Sequence, residues 1–420
     1  VRAGSPRMLR EINDRAAIEA LLRSGPLTRA ELEVVIGLSK PATAQLLTRL
    51  EQDNLVGKAG ERAGGGRGPR AQLWAVNGSL AHVAAVDLTP HVTDFVIADV
   101  AGTIGAEYQV QLPVHENADV IGTFGKALKH VTRKAGLALD DLANVVIGAQ
   151  GAFDPRTGLL SSAPHIPGWL GFDVPAKLSE ELGLAVTIEN DVNLVAVEEM
   201  TAGKARDVDD FVMVWLSEGV GGAVVIGRRL LRGATGGGGE IDWMRVPDPA
   251  TVDTGDRWPE AGARFGNLVD SPGITRLAKA HGLSAETGPA AVAEARTQGR
   301  QAFLDDLARR VAGGLASLVA VADPQLILLS GETSRAGGEE FAATVAEKLH
   351  ALVLPRTPVA LASVQGNAVR AGALQSALAT AREDVFGVVT PTLRGSRRPT
   401  EGTAGAPHPA LPSSAPSPTE

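Results

Sequence analysis

Cysteine is absent from the 420 residues. Disulfide bridges and thiolate-bound metals are therefore excluded. Long apolar runs are absent as well, and no stretch is long enough to span the hydrocarbon core of a bilayer. The start of the chain, Val1 to Arg10, lacks the apolar core of a secretory signal, so a cytoplasmic protein is the expectation. No short period of solenoid type is visible. What is present is the composition of a globular protein, with 44% hydrophobic and 21% charged residues. The length allows two or three domains.

Negative charge is scarce at the front of the chain. The net charge is −8, yet residues 1–80 hold 12 Lys+Arg against 8 Asp+Glu, while the remainder holds 28 against 40. A basic head on an acidic body suits a head that meets an anionic polymer, although an ordinary solvated surface gives the same count. Residues 1–80 read as a small helical domain with a Gly/Arg-rich hairpin. Residues 81–385 alternate short β-branched runs, such as Val83–Val86, Phe95–Ile97, Val145–Ile147, Val186–Ile188, Phe211–Leu216, Ala223–Ile226 and Leu326–Leu329, with amphipathic stretches. That alternation predicts an α/β body. Residues 386–420, above all Leu393 to Glu420, are rich in Pro, Ser, Thr, Gly and Ala and read as a disordered tail.

In the head, Ile18, Leu21 and Leu22 mark one face of a helix that Ser24-Gly25-Pro26 ends. Thr28-Arg29-Ala30-Glu31 is a capping box opening a second helix, with Leu32, Val35 and Ile36 as its expected buried stripe. Gly37-Leu38 makes a tight turn, and Ser39 caps a third helix. Leu46, Leu47 and Leu50 face the core from that helix, and Lys40, Thr43, Gln45, Thr48 and Arg49 are assigned to its other side. Two short helices joined by a Gly-containing turn form the helix-turn-helix pattern, whose second helix places its first residues on base edges in a major groove. Ser39, Lys40, Thr43, Gln45 and Arg49 are the candidate donors there. Leu55–Lys58 and Ala71–Val76 read as two strands flanking Glu61–Arg70, a cationic wing in which Arg62, Arg67 and Arg70 are the candidate contacts to phosphates or a minor groove. The bland alternative for the wing is a flexible surface loop. Head and wing together predict a winged helix-turn-helix that binds double-stranded DNA.

The body contains four phrases in a fixed order. They are Ala149-Gln150-Gly151-Ala152-Phe153-Asp154-Pro155-Arg156-Thr157-Gly158; Ser162-Ala163-Pro164-His165-Ile166-Pro167-Gly168-Trp169; Glu189-Asn190-Asp191-Val192-Asn193; and Gly233-Ala234 through Gly239-Glu240-Ile241. In order and spacing they resemble the ROK family (repressors, open reading frames, kinases), over roughly residues 10–380. The resemblance implies a pair of actin-like, ribonuclease H-like α/β lobes of sugar-kinase type with a central cleft for a sugar. It also implies a homodimer or homotetramer. In the family's kinases the aspartate matching Asp191 is the general base on a sugar hydroxyl. A carboxylate in that place either deprotonates a hydroxyl or accepts its hydrogen bond, so the motif alone does not establish an enzyme.

Three departures from the family pattern bear on activity. The kinases' "D-x-GG-T" turn is matched by Asp87-Leu88-Thr89-Pro90-His91, which has no glycine and contains a proline that lacks an N–H. Their "G-T-G-x-G" loop is matched by Ser217-Glu218-Gly219-Val220-Gly221, where Glu218 would set a carboxylate beside a triphosphate. Trp243 stands where zinc-bearing members have a histidine, and no cysteine exists to complete a metal site. The expectation is a body with no catalytic residue, no cofactor and no metal. The effector residues carried over from the family are His165, Asn190, Asp191 and Glu240, with Trp243 as a core aromatic or a platform for a pyranose face. For His165 the alternative is a loop histidine, and for Asn190 and Asp191 a helix cap. The expected protein is thus a sugar-responsive DNA-binding repressor. The alternatives are an ATP-dependent sugar kinase, or a ligand-independent regulator whose body only dimerises.

Overall fold

The computed structural model describes residues 6–388, apart from residues 63–69, 155, 162, 164 and 248–261. Arg67, the tip of the expected wing and the tail from residue 389 onward lie outside the described residues.

The head begins with α1 (Pro6–Ser24), followed by β1 (Leu27–Thr28), α2 (Arg29–Ile36), α3 (Lys40–Gln52), β2 (Val56–Arg62) and β3 (Ala71–Val76). Thr28 closes the capping box: its hydroxyl accepts the Glu31 N–H at 3.2 Å, and the Glu31 carboxylate accepts the Thr28 N–H at 2.7 Å. Gly37 ends α2 with φ 67°, a left-handed cap that a residue with a Cβ adopts only under strain. The three strands form an antiparallel sheet in the order β1-β3-β2. Ala17, Ile18, Leu21, Leu32, Leu46, Leu47 and Leu50 fill the core between helices and sheet.

Two residues expected elsewhere are displaced by helix phase. The core line of α2 runs through Leu32 and Ile36, four apart, so Val35 turns to solvent and is 58% exposed. On α3 the core line is Thr43, Leu46, Leu47 and Leu50, so Thr43 is fully buried rather than on the outer face. Its hydroxyl donates back to the Ser39 carbonyl.

The first body lobe starts as an antiparallel meander, β4 (His82–Leu88), β5 (Thr93–Asp99) and β6 (Ile104–Val110). After α4 (Val120–Lys134), β7 (Leu142–Ala149) returns parallel to β4. A small hairpin, β8 (Ala152–Phe153) and β9 (Leu160–Ser161), and α5 (Val174–Leu182) lead to β10 (Ala185–Asn190), parallel to β7. The sheet order is β10-β7-β4-β5-β6. Then α6 (Asp191–Ala202) opens directly off β10.

The second lobe repeats the plan. β11 (Phe211–Leu216), β12 (Val220–Ile226) and β13 (Arg229–Leu230) form an antiparallel meander. The pair β14 (Arg245–Val246) and β15 (Ala263–Arg264) and the helices α7 (Phe265–Val269), α8 (Ser271–Ala280), α9 (Gly288–Thr297) and α10 (Gln301–Ala322) follow. Parallel strands β16 (Leu326–Ser330) and β17 (Val359–Leu361) are joined by α11 (Gly331–Leu352), giving the order β13-β12-β11-β16-β17. Finally α12 (Ala368–Phe386) recrosses to the first lobe and packs on β4, β7 and α6. The β-branched runs of the sequence all fall in these strands, and the body is the mixed α/β fold that they imply. Among the described residues no helix is long and apolar enough to cross a membrane.

The cores are arranged unevenly. The second lobe buries one sheet face in a core of its own, built on Phe265, Phe303, Leu307, Val311 and Leu329, and the other against α6 and α12, where Met213, Ala223 and Leu328 meet Val195, Met200 and Ala379. The outer face of the first lobe packs Phe95, Phe124 and Trp169, with the Phe124 and Trp169 rings edge to face. Its inner face shares one continuous core with the head and α12. Phe386 and Val388 are buried in that shared core, so the chain remains ordered structure beyond residue 385, where the sequence placed the start of the tail.

Candidate functional site

Asp191 is the first residue of α6, at the point where β10 delivers the chain into the gap between the lobes. Burial pushes its carboxyl up to about 7, and the charges of Asp87 and Glu240 push the same way against a hydrogen bond from the Val192 N–H. Asp87, at the end of β4, is raised to about 6 by burial and by Asp94, against the Asn367 amide and Arg370. Burial and Asp242 raise Glu240, and Arg264 opposes them. Asp191 thus feels the charge of Asp87 from its own lobe and of Glu240 from the other, and a proton or a hydroxyl donor relieves that repulsion.

These carboxyls line two cavities. The outer one, of about 390 Å³, is lined by Ala152, Asp154, Thr157, Thr235, Glu240 and Trp243 among others. The inner one, of about 270 Å³, is lined by Asp87, Gln150, Asp191, Glu199, Glu332 and Arg335, with Trp215 and the start of α12 as apolar walls. Carboxylates, amides and hydroxyls around an apolar floor are the equipment for a polyhydroxyl ligand.

The carried-over effector residues do not all reach this site. Glu240 lines the outer cavity and Asp191 the inner one. The side chain of Asn190 is occupied structurally: its oxygen caps α6 by accepting the Asn193 N–H at 3.1 Å, and its amide donates to the Gly151 carbonyl at 3.2 Å. His165 is an exposed residue of the turn before Pro167–Trp169. Trp243 is 60% exposed rather than a core aromatic, and it stacks on the Arg264 guanidinium, whose carbon lies 3.6 Å from the ring centre. Arg264 also pairs with Asp242.

Sequence reasoning missed several groups. Glu189 accepts from the Asn190 N–H and the Asn193 amide through one oxygen. Through the other it pairs with Arg232 at 2.6 Å, tying β10 of the first lobe to the loop after β13 of the second. It lay inside a quoted motif without a role. Glu199, fully buried on α6, accepts the N–H groups of Ser363, Val364 and Lys204, and so fixes the approach to α12. Glu332, Arg335 and Asn367 had no local motif. Their places in the cavity follow from α11 and α12 returning to the cleft.

On the head, Ser39, Lys40 and Gln45 are exposed at the start of α3, as the outer face of that helix requires. Ser39 sits at the N-cap without a side-chain cap bond. Arg49 is turned inward and paired with Asp14 of α1. Arg62 is bound at the head itself, to Glu31 at 2.6 Å and the Pro26 carbonyl at 3.1 Å. Arg70 is exposed.

Residues 83–381, well over half of the chain, match the profile of the ROK family. The xylose repressor of Bacillus subtilis (strain 168) is 23% identical over 239 residues, 57% of this chain and 61% of the repressor. The alignment therefore spans about three-fifths of that relative's length. A glucokinase of Halalkalibacterium halodurans is 28% identical over 240 residues, 51% of this chain and 69% of the kinase. Among solved structures, a ROK hexokinase from Thermus thermophilus aligns at 25% identity with a TM-score of 0.58, over 70% of this chain and 96% of the hexokinase. A ROK family transcriptional regulator described as a homologue of the E. coli MLC protein aligns at 18% identity with a TM-score of 0.66, over 88% of this chain and 96% of that one. The regulator's alignment extends over more of this chain than the hexokinase's does. With the two-lobed body and the family profile in agreement, the chain belongs to the ROK family.

Proposed function

We propose that this protein is a sequence-specific DNA-binding transcriptional regulator, a repressor of carbohydrate-related genes that a sugar or sugar derivative releases from its operator. The observation that carries this reading is the head: a capped helix pair with Ser39, Lys40 and Gln45 exposed on the second helix, beside a sheet whose β2–β3 connection is rich in arginine. Residues 1–80 act as a winged helix-turn-helix, residues 81–385 as the effector-binding body, and the protein works in the cytoplasm. A homodimer or homotetramer presents two heads to an inverted repeat. Similarity to xylose repressors supports both the DNA and the sugar.

The phosphate turns support a body without kinase activity. In the β4–β5 turn the N–H groups of His91 and Val92 both donate to the Thr89 hydroxyl, and Pro90 has no N–H. In the β11–β12 turn the Ser217 N–H is used by the Gly219 carbonyl, and Glu218 stands exposed at the tip. Asp191, raised to about 7, favours the second reading, a sugar kinase, because a base near neutrality suits a sugar hydroxyl.

One experiment separates the two readings. Full-length protein is titrated with the DNA upstream of its own gene at two salt concentrations, with and without D-xylose, D-glucose and N-acetylglucosamine, and ATP consumption is followed with the same sugars. Salt-sensitive specific binding that one sugar reverses, without ATP consumption, is the expected result. ATP-dependent phosphorylation without specific DNA binding overturns it.

A further inference from the structure

One end of α12 forms the wall of the inner cavity, and its other end lies in the core of the head. At the cavity end, Ala362, Val364, Gly366, Asn367, Ala368 and Val369 are all lining residues. This end is bolted to the cleft acids. Asn367 caps the helix by accepting the Arg370 N–H at 2.9 Å, while its amide donates to Asp87 at 2.9 Å and Asp94 at 3.1 Å. Arg370 pairs with Asp94 at 2.8 Å and Glu107 at 2.6 Å. Glu199, on the same helix as Asp191, holds the Ser363 and Val364 N–H groups just ahead of it.

Along its length α12 has no slack. A Cβ on Gly372 would strike the Leu194 carbonyl of α6, so the two helices touch backbone to backbone. A Cβ on Gly148 of β7 would meet Val369 at 2.5 Å and Leu194 at 2.6 Å. The Asn144 amide of β7 donates to the Ala377 carbonyl at 3.1 Å. Nineteen helical residues span about 28 Å at the standard rise.

At the far end Gly387 closes the helix with φ 64°, and the Arg15 guanidinium of α1 lies 3.2 Å from where a Cβ on Gly387 would stand. Phe386 and Val388 belong to the same buried cluster as Ala17, Ile18 and Leu21 of α1.

We propose that α12 is the coupling rod of the protein, with Asn367 as the positioning residue that reads the cleft and the Phe386–Val388 corner as the point that moves the head. This rests on the reading that the head binds DNA and the cleft binds a polyhydroxyl effector. A ligand hydroxyl that donates to Oδ2 of Asp87 competes with the Asn367 amide for that oxygen. The start of α12 is thereby released from β4, and the close fit against α6 makes the helix shift as a body rather than fray. Coupling of this kind needs a contact that differs between the two states, and the Asp87–Asn367 bond supplies it.

The test uses hydrogen exchange on the full-length protein, without sugar or DNA. Asn367→Ala removes the bolt, Gly372→Ala drives α12 away from α6, and Asp119→Ala removes an equivalent cap from α4, in the same lobe but away from α12. The expected result is an exchange rate in residues 13–22 of α1 raised at least tenfold by Asn367→Ala and by Gly372→Ala and unchanged by Asp119→Ala. In the reverse direction, Arg15→Ala raises exchange in residues 362–370, because coupling free energies are reciprocal. If Gly372→Ala does not fold, Asn367→Ala and Arg15→Ala decide the question. Exchange in α1 that ignores Asn367→Ala, or that answers equally to Asp119→Ala, overturns the proposal. A failure here leaves the DNA-and-effector reading standing, because neither ligand takes part. A protein that binds no DNA yet passes this test would remove that reading and leave the rod intact.

Discussion

The two lobes of the body have the same strand order, three antiparallel strands and two parallel ones, yet their inner faces are wired to the rest of the chain differently. In the second lobe one sheet face is covered by the lobe's own helices in a private core of Phe265, Phe303, Leu307 and Val311, and the other packs Met213 and Ala223 against Val195 and Met200 of α6 and Ala379 of α12. The first lobe reaches further. Val83, Ala85, Val96 and Val146 on the inner face of its sheet are continuous with Leu378 and Phe386 of α12 and with Ile18 and Leu47 of the head. Both lobes thus rest their inner faces on α6 or α12, and the inner core of the first lobe is the one that runs on into the head. A lobe that shares its core with the head carries the head along. The asymmetry comes from α12 crossing back at the end of the chain and ending against α1.

The largest expected effects break this comparison directly. Phe303→Ala empties the private core and Leu378→Ala the shared one, and both are expected to cost about 2–5 kcal/mol in denaturant unfolding. They differ in what else is lost. At a temperature where both variants are folded, Phe303→Ala keeps the operator affinity of the parent protein, and Leu378→Ala lowers it at least tenfold. Equal affinities for the two variants would show that the shared core plays no part in placing the head.

A smaller effect sharpens the electrostatic side. Asp191 is held near 7 by burial and by the carboxylates of Asp87 and Glu240, whereas Glu240 has Arg264 beside it as a counter-charge. A carboxyl whose folded pKa is raised binds its proton more tightly in the native state, so stability falls as pH rises from about 4 to about 7 and stays lower above that. Asp191→Asn keeps an acceptor for the Val192 N–H and removes the charge. The variant is expected to gain about 1–3 kcal/mol over the parent at pH 8 and nothing at pH 4. Glu240→Gln gains less over the same range. Unfolding midpoints measured from pH 4 to pH 8 check both, and a parent protein whose stability rises across that window would contradict the assignment.

Much of this architecture was legible because it is local. β-branched runs mark the strands of both lobes, a capping box marks the start of α2, and a glycine with positive φ marks its end. Phase within a helix was also legible and was misread at two positions, Val35 on α2 and Thr43 on α3. Thr43 stands three and four residues before Leu46 and Leu47, on the stripe that must be buried. The cleft was only half visible. Asp191 and Glu240 sit in phrases that announce themselves, but Asn367 reaches Asp87 across 280 residues and Arg370 reaches Asp94 across 276. No spacing in a single sequence encodes such a meeting, because it depends on where α12 comes to rest. For the same reason Arg49 looked free until α1 brought Asp14 beside it, 35 residues away in sequence.

Arg49 yields the smallest effect and the cleanest contrast on the head. Lys40 and Arg49 are both cations of α3, and a reading by charge alone treats them alike. Lys40 is exposed at the first turn, where a helix seated in a groove meets base edges and phosphates, while Arg49 is partly buried against Asp14 in the last turn. Lys40→Ala is expected to weaken specific DNA binding about tenfold and to lower the salt slope by about one unit, the signature of one lost phosphate contact. Arg49→Ala is expected to change DNA affinity by no more than about twofold, the ordinary effect of moving one charge outside the interface. Its cost falls on folding instead, at about 0–1 kcal/mol, because a pair this accessible to water is well screened. Affinity and unfolding measured on the same two variants separate the roles. A salt slope that responds to Arg49→Ala and not to Lys40→Ala would place the DNA against the other end of α3, and the head would have to dock in the reverse orientation.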